Sequence, residues 1–427
     1  MATVAERQST FAAAFDALRR DAAFAADPAR SAREAAFARV TDRGFPSTRD
    51  EEWRFTSVAP IVQASFAPAA RPAAIDRAAV DAFAIPGATQ LLLVNGELQG
   101  TPVLPAGVSI SHGDLPAMPS VATVFADLNT ALHPHAVILE IAPRAVIDSV
   151  LHVVHLGVSA DGPTMASPRL VIKAGEQSQA TVVESYADLG ARPVFTNAVT
   201  QVNVGAGAIL HHVKIERGQA SAFHLASTFA RVERAGTFDS RALTFGGRIV
   251  RNDIVATLDG EGATCTLDGL YVGTGETLID THTTIDHAKA HCPSHEVYKG
   301  ILGGRAKAVF NGKIIVRQDA QKTDAKQTNK ALLLTDDAQI NTKPQLEIFA
   351  DDVKCTHGAA IGQLDDDAIF YLRSRGMTYA EARDMLIHAF AGQVLDGVQV
   401  EPLRAALEIT LFDQLARDLA EVDGAKK

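Results

Sequence analysis

From about residue 165 to 362 apolar and polar positions alternate, with almost no helical periodicity. RLVIKAGEQSQATVVESY, TQVNVGAGAILHHVKIE, ARVERAGTFDSRALTF and VATLDGEGATCTLDGLY each read as a strand, a glycine turn and a second strand. The turn glycines Gly175, Gly207, Gly236 and Gly262 return about every 30 residues, a loose internal repeat of strand pairs. No proline interrupts these strands, which suits positions inside sheets. The pattern predicts a mainly β fold, a parallel β-helix in which each coil stacks on the last, with a β-sandwich as the alternative. Before it, Phe11, Phe15, Leu18, Phe37 and Val40 recur at helical spacing, predicting two short amphipathic helices that end at Pro46. Residues 50–160 are mixed, with strand-like LLLVN and VILEI set between Pro and Gly turns.

Beyond the β zone the period changes to helical. Asp365, Asp366 and Asp367 place negative charge at a helix start, and Thr378 with Glu381 forms a T-x-x-E capping box. Glu401 and Pro402 open a last helix, on which Leu403, Leu407, Leu411, Leu415 and Leu419 fall every fourth residue. That stripe demands a partner surface, either the solenoid end or another protein. The expected division is 1–160, an N-terminal helical and mixed segment; 161–363, the β-helix core; and 364–427, a C-terminal helical domain.

The 427 residues are 47% hydrophobic, enough for a sizeable core. A formal net charge of −10 with no basic stripe argues against nucleic acid as a partner. Three cysteines, an odd number, argue against a disulfide framework and for a reducing compartment. The charged N-terminus lacks the apolar stretch of a secretory signal, and no apolar run approaches the ~20 residues that span a bilayer. A cytoplasmic protein without a membrane segment is expected.

Few catalytic signatures are present. There is no G-x-x-x-x-G-K-[ST], GILGGRAK having the wrong spacing, and no G-x-S-x-G elbow; His295-Glu296 starts an H-E-x-x-H whose last position is Lys299. The densest set of metal-ligand types is THTTIDHAKAHCPSHE, with His282, His287, His291, Cys292 and His295, at a spacing that matches no standard zinc site. Cys265, alternating with threonines, reads as a small buried hydrophobe. In DDVKCTHGAA, Cys355 and His357 stand two apart, so on a strand they share a face. They suit half a metal site, a nucleophile with its base, or two side chains that never meet. Residue types alone leave open a stand-alone zinc-binding protein and a carbohydrate-active or acyl-transferring β-helix enzyme.

The stretch GRAKAVFNGKIIVRQDAQKTDAKQTNKALLLTDDAQINTKPQLEIFADDVKCTHGAAIGQLDDDAIFYLRSRG resembles the SufB/SufD family of the SUF iron–sulfur cluster assembly system. The early DEEWRFTSVAPI is similar to the SufD branch rather than the SufB branch. The resemblance implies a parallel right-handed β-helix flanked by helical segments. It further implies a non-enzymatic scaffold that pairs with a SufB-type paralogue and is bound by a SufC-type ABC ATPase; the sequence leaves open whether the free chain is a monomer or a homodimer. No tightly bound cofactor is expected in the isolated chain, and a nascent iron–sulfur cluster is expected at the interface with the partner. By the same resemblance His357, with Cys355 beside it, belongs to that interface, and Asp367, Tyr371, Arg373, Arg375 and Met377 to the ATPase contact. Of the histidine run, only His287 and Cys292 look familiar for the family, as a weaker metal candidate.

Overall fold

The computed structural model describes residues 9–69, 75, 77–112, 115–159 and 162–425. Each strand pair seen in the sequence is one coil of a parallel solenoid, not a hairpin. Val194–Val204 enters a first sheet, the chain turns a corner, and Ile209–Gly218 enters a second sheet. In the first sheet Phe195 lies beside Phe223, Phe223 beside Ile249, Ile249 beside Leu278, Leu278 beside Lys307 and Lys307 beside Gln339. Those steps of 28, 26, 29, 29 and 32 residues are the lengths of successive coils. Eight parallel strands, from Ala136–Ile141 to Gln339–Ile348, stack this way.

The repeat is regular in backbone conformation even where residue identity varies. Gln177, Gly207, Ala235, Gly262, His291 and Lys322 occupy one corner of successive coils with φ of 58°, 66°, 53°, 72°, 58° and 63°. Each donates its N–H to a carbonyl in the next corner, as from Gly207 to Arg234 (2.9 Å) and from His291 to Gln321 (2.9 Å). Only two of the six are glycine, which is why a repeat sought through glycines looks loose.

The interior between the sheets is a continuous apolar stack that includes Leu139, Ile172, Val202, Leu210, Phe238 and Ile285. The flanking helices cover the two outer faces. Helices Ser9–Arg20 and Arg30–Arg43, with Val124–Leu132, set Phe11, Val40, Phe125 and Leu128 against Phe195, Phe223 and Ile249 of the first sheet. A short Ala22–Ala25 helix lies between the first two, so the N-terminal zone has one more helical element than expected. The leucine stripe finds neither the solenoid end nor another protein. Leu403, Leu407, Leu411 and Leu415 pack on the flank of the second sheet, against residues such as Val213, Leu243 and Leu270. The side chain of Leu419 lies outside the described residues. The boundary expected at residue 161 falls among paired strands, because Thr89–Val94, Ala136–Ile141 and Leu151–Val158 already belong to the two sheets. Among the described residues no helix is long and apolar enough to cross a membrane.

Leu407 is completely buried between the last helix and the second sheet. Leu407→Ala is expected to cost about 2–5 kcal/mol, the usual range for a large-to-small core change. Urea denaturation followed by far-UV circular dichroism measures it; a loss below about 0.5 kcal/mol would show that the helix is not docked as described.

Candidate functional site

The two ends of the solenoid differ. At the N-terminal end Val108–Ser111 and Glu97–Leu98 pair antiparallel with the outermost parallel strands and stop the ladders. At the C-terminal end Gln339–Ile348 and Lys354–Gly362 are the outermost strands of the two sheets, and among the described residues neither has a further strand beside it. Their edges leave backbone donors and acceptors open to a partner. Pro344 lacks an N–H and interrupts one edge. Phe349 is 62% exposed between the strands, and Ile348 and Ile361 are exposed on either side of it.

Register decides which way Cys355 and His357 point. Cys355 lies beside Ala325 and His357 beside Gln327, and both of those are buried inside the preceding coil. The pair therefore lies on the inward column of a coil with nothing above it. Cys355 is half-buried against an apolar cluster that includes Ala325 and Ala350, and burial pushes its thiol pKa up. The neutral thiol is thus favoured until a cation or metal approaches. His357 is exposed at the rim. Two donors do not complete a four-coordinate site. Among the described residues no group of three or more His, Cys, Asp or Glu side chains is arranged to hold a metal ion.

Behind this rim the interior turns polar. Glu296 is buried, pairs with no cation among the described residues, and burial pushes its pKa up to about 7. Gln327 donates to it (2.7 Å). Tyr271 donates to Asn329 (3.1 Å), which donates to Thr342 (3.0 Å). Deeper in the solenoid Glu184 behaves oppositely. Burial opposes its charge, but hydrogen bonds from His155 and His212 outweigh that and hold its pKa well below the usual range.

The histidine run is divided among separate environments. His287 is buried in the interior, its Nε2 3.0 Å from Ser294 Oγ, and burial lowers its pKa to about 4. Cys292 is buried too, its thiol donating to the Gly260 carbonyl (3.3 Å). His291 is the left-handed corner residue, and His295 is exposed on the outer side of the second sheet. His282 lies on the outer side of the first sheet within an ion network. Its Nε2 is 2.9 Å from Asp280 and its Nδ1 3.2 Å from Glu52. Arg251 binds Asp280 (2.7 Å), donates to the Glu52 carbonyl (2.7 Å) and stacks on the Trp53 ring at 3.8 Å. Asn311 also donates to Glu52 (3.0 Å), and Lys343 pairs with Glu51. The DEEWR segment is thus strapped across the last coils. Nothing in local spacing announces this strap, because its partners lie more than 190 residues away, 199 for the Arg251 contact.

Immediately after the last strand, Asp365 caps the Asp366–Ser374 helix by accepting from Asp367 N (2.9 Å) and Ala368 N (3.2 Å). The Thr378–Glu381 capping box opens the next helix, Tyr379–Leu395. Asp367, Tyr371, Arg373 and Arg375 are exposed, Met377 is half-buried, and the Arg375 guanidinium lies 5.2 Å from the Tyr371 ring centre. Phe370, which residue types alone did not single out, is 75% exposed; an aromatic pair on a helix otherwise edged with charge is the signal for it.

A two-sheeted parallel solenoid with helical wings and an uncapped end carrying Cys-x-His defines a particular class, and comparisons with known proteins agree. The family model described as SUF system FeS cluster assembly, SufBD core domain, matches residues 155–390. An iron–sulfur cluster assembly SufBD family protein of Synechocystis is 34% identical over 390 residues, 85% of this chain and 86% of that protein. Iron–sulfur cluster assembly protein SufD of Escherichia coli is 32% identical over 372 residues, 84% of this chain and 87% of that protein. A SufBD family protein of Mycobacterium tuberculosis is 30% identical over 271 residues, covering 61% and 67%. The chain belongs to the SufBD family of iron–sulfur cluster assembly proteins. Within it, the similarity across most of the chain supports a SufD-type member.

The strap makes a pH prediction. Burial lowers the His282 pKa, but Asp280 and Glu52 outweigh it and raise it to about 9, above the usual 6.5. A raised folded-state pKa gives stability that is fully present below about pH 6.5 and lost as pH rises through 9. The stability difference between the parent and His282→Gln is therefore expected to shrink from pH 6 to pH 9.5. A difference that stays flat across that range in urea titrations would show that His282 is not charged in the fold.

Proposed function

We propose that this chain is a scaffold subunit that does no turnover of its own and builds iron–sulfur clusters together with a related solenoid chain. The observation that carries the reading is the open end, with two unpaired parallel edges, an apolar rim and a Cys355–His357 pair that supplies only part of a ligand set. A SufB-type paralogue adding its own edge strands there would extend both sheets and bring the missing donors. The nascent cluster is cargo shared between the two chains. The chain alone binds no cofactor tightly and pairs with a second copy of itself in the partner's absence. The exposed face around Phe370 and Tyr371, with Asp367, Arg373, Arg375 and Met377, is the surface offered to a SufC-type ATPase. Standing directly after the last strand, it lets motion of the ATPase pull on the coil that bears His357. The assembly works in the cytoplasm.

Two outcomes test this. His357→Ala is expected to keep the parent's thermal midpoint and co-purify with the same partners. Its yield of bound iron and sulfide should fall at least about tenfold, the loss usual when a metal site loses support. An unchanged yield in an intact complex would remove His357 from the cluster site. Phe370→Asp is expected to weaken capture of the ATPase by about 2 kcal/mol, some 30-fold, as for a central interface aromatic. Unchanged ATPase affinity by surface plasmon resonance would place the docking surface elsewhere.

A further inference from the structure

The rim histidine stands at the end of a column of inward positions. On the second sheet Leu267, Glu296, Gln327 and His357 form one inward column in successive coils. Adjacent members are one strand spacing apart, about 4.8 Å. Glu296 and Gln327 are both almost completely buried. The Gln327 amide nitrogen donates to Glu296 Oε2 (2.7 Å), which fixes how the amide is turned. Its oxygen has no donor among the described residues, although it is buried. A buried acceptor left without a donor is costly, so such an atom calls for a partner. The amide is also seated from across the solenoid. Gly312 faces it from the first sheet, and a Cβ there would collide with Gln327 Nε2 and Cδ. The next member of the column beyond Gln327 is His357, the last one before the open end.

We propose that Gln327, held by Glu296 and seated over Gly312, is a positioning residue for His357. Its carbonyl oxygen, unpartnered while the His357 side chain is exposed, accepts one imidazole N–H when that ring turns in along the column. That hydrogen bond orients the ring and leaves the other ring nitrogen unprotonated and directed out of the solenoid, as a lone-pair donor to metal brought by a partner. The column is therefore a buried second rank behind the rim, and its significance rests on the ligand role given to His357 above.

The test is made on the isolated full chain labelled with 15N-histidine. A ring N–H that is hydrogen-bonded exchanges slowly enough with water to be seen directly in 1H–15N spectra. One such signal is expected to vanish in His357→Gln, which assigns it, and to vanish or exchange at least about tenfold faster in Gln327→Met, the loss of a hydrogen bond worth roughly 1.4 kcal/mol. Gly312→Ala, which unseats the amide without changing it, should do the same and serves if Gln327→Met does not fold. A His357 ring signal that persists in both variants, or the lack of any protected His357 ring signal in the parent, overturns the proposal. Cluster yield in the assembled complex separates this from the ligand role. If His357→Ala is impaired and Gln327→Met is not, the positioning role falls and the ligand role stands. If the ring signal depends on Gln327 but His357→Ala is unimpaired, the ligand role falls and the hydrogen bond stands.

Discussion

A stack of parallel strands cannot end itself. Every coil satisfies its backbone on the coil before and the coil after, so the first and last must leave a ladder of N–H and C=O groups to something else. This one constraint organises the molecule. Antiparallel strands terminate the stack at one end, helical wings cover both outer faces, and among the described residues one raw end is left, with an edge from each sheet. A long exposed edge is normally an aggregation hazard. Its retention here, beside exposed Phe349 and Ile361, is the feature on which the proposed pairing with a second chain rests.

Register turns the same stack into columns, and the columns explain residues that look odd in isolation. Tyr298 lies across Gly269 and Tyr271 across Gly300, so each tyrosine occupies the space that its neighbouring glycine leaves. Both rings fit only because the two glycines are offset along paired strands. Polar side chains inside a solenoid are costly unless each finds a partner, which is why they come as joined groups: Glu184 with His155 and His212, Glu296 with Gln327, Tyr271 with Asn329 and Thr342.

Much of this was legible in the chain itself. Alternation and the return of Gly175, Gly207, Gly236 and Gly262 pointed to stacked coils, and the caps at Asp365 and Thr378 lie where the residues required. Cys355 and His357 do share a face, because two residues apart on a strand is a purely local relation. What local pattern could not supply was anything set by stacking. The destination of the leucine stripe depends on which sheet face is vacant. The scattering of His282, His287, His291 and His295 depends on where the corners fall. His291 looked like a ligand type and is a corner residue in a left-handed conformation. The Gln327 column and the Glu52 strap depend on register accumulated over many coils.

The strap also orders events in time. Glu51 and Lys343 are 292 residues apart, yet they meet. A chain made at about 5–20 residues per second exposes Glu51 on the order of 15–60 seconds before Lys343 exists. Throughout that interval the DEEWR segment has no finished surface to lie on, while the coils are laid down one after another beneath it. Trp53 has its partners, Phe125 and Arg251, well before the last coils exist, but Glu52 must wait for Asn311 and Glu51 for Lys343. An early-made segment thus completes its docking late, and the Glu51–Lys343 closure marks a chain whose terminal coils are in place.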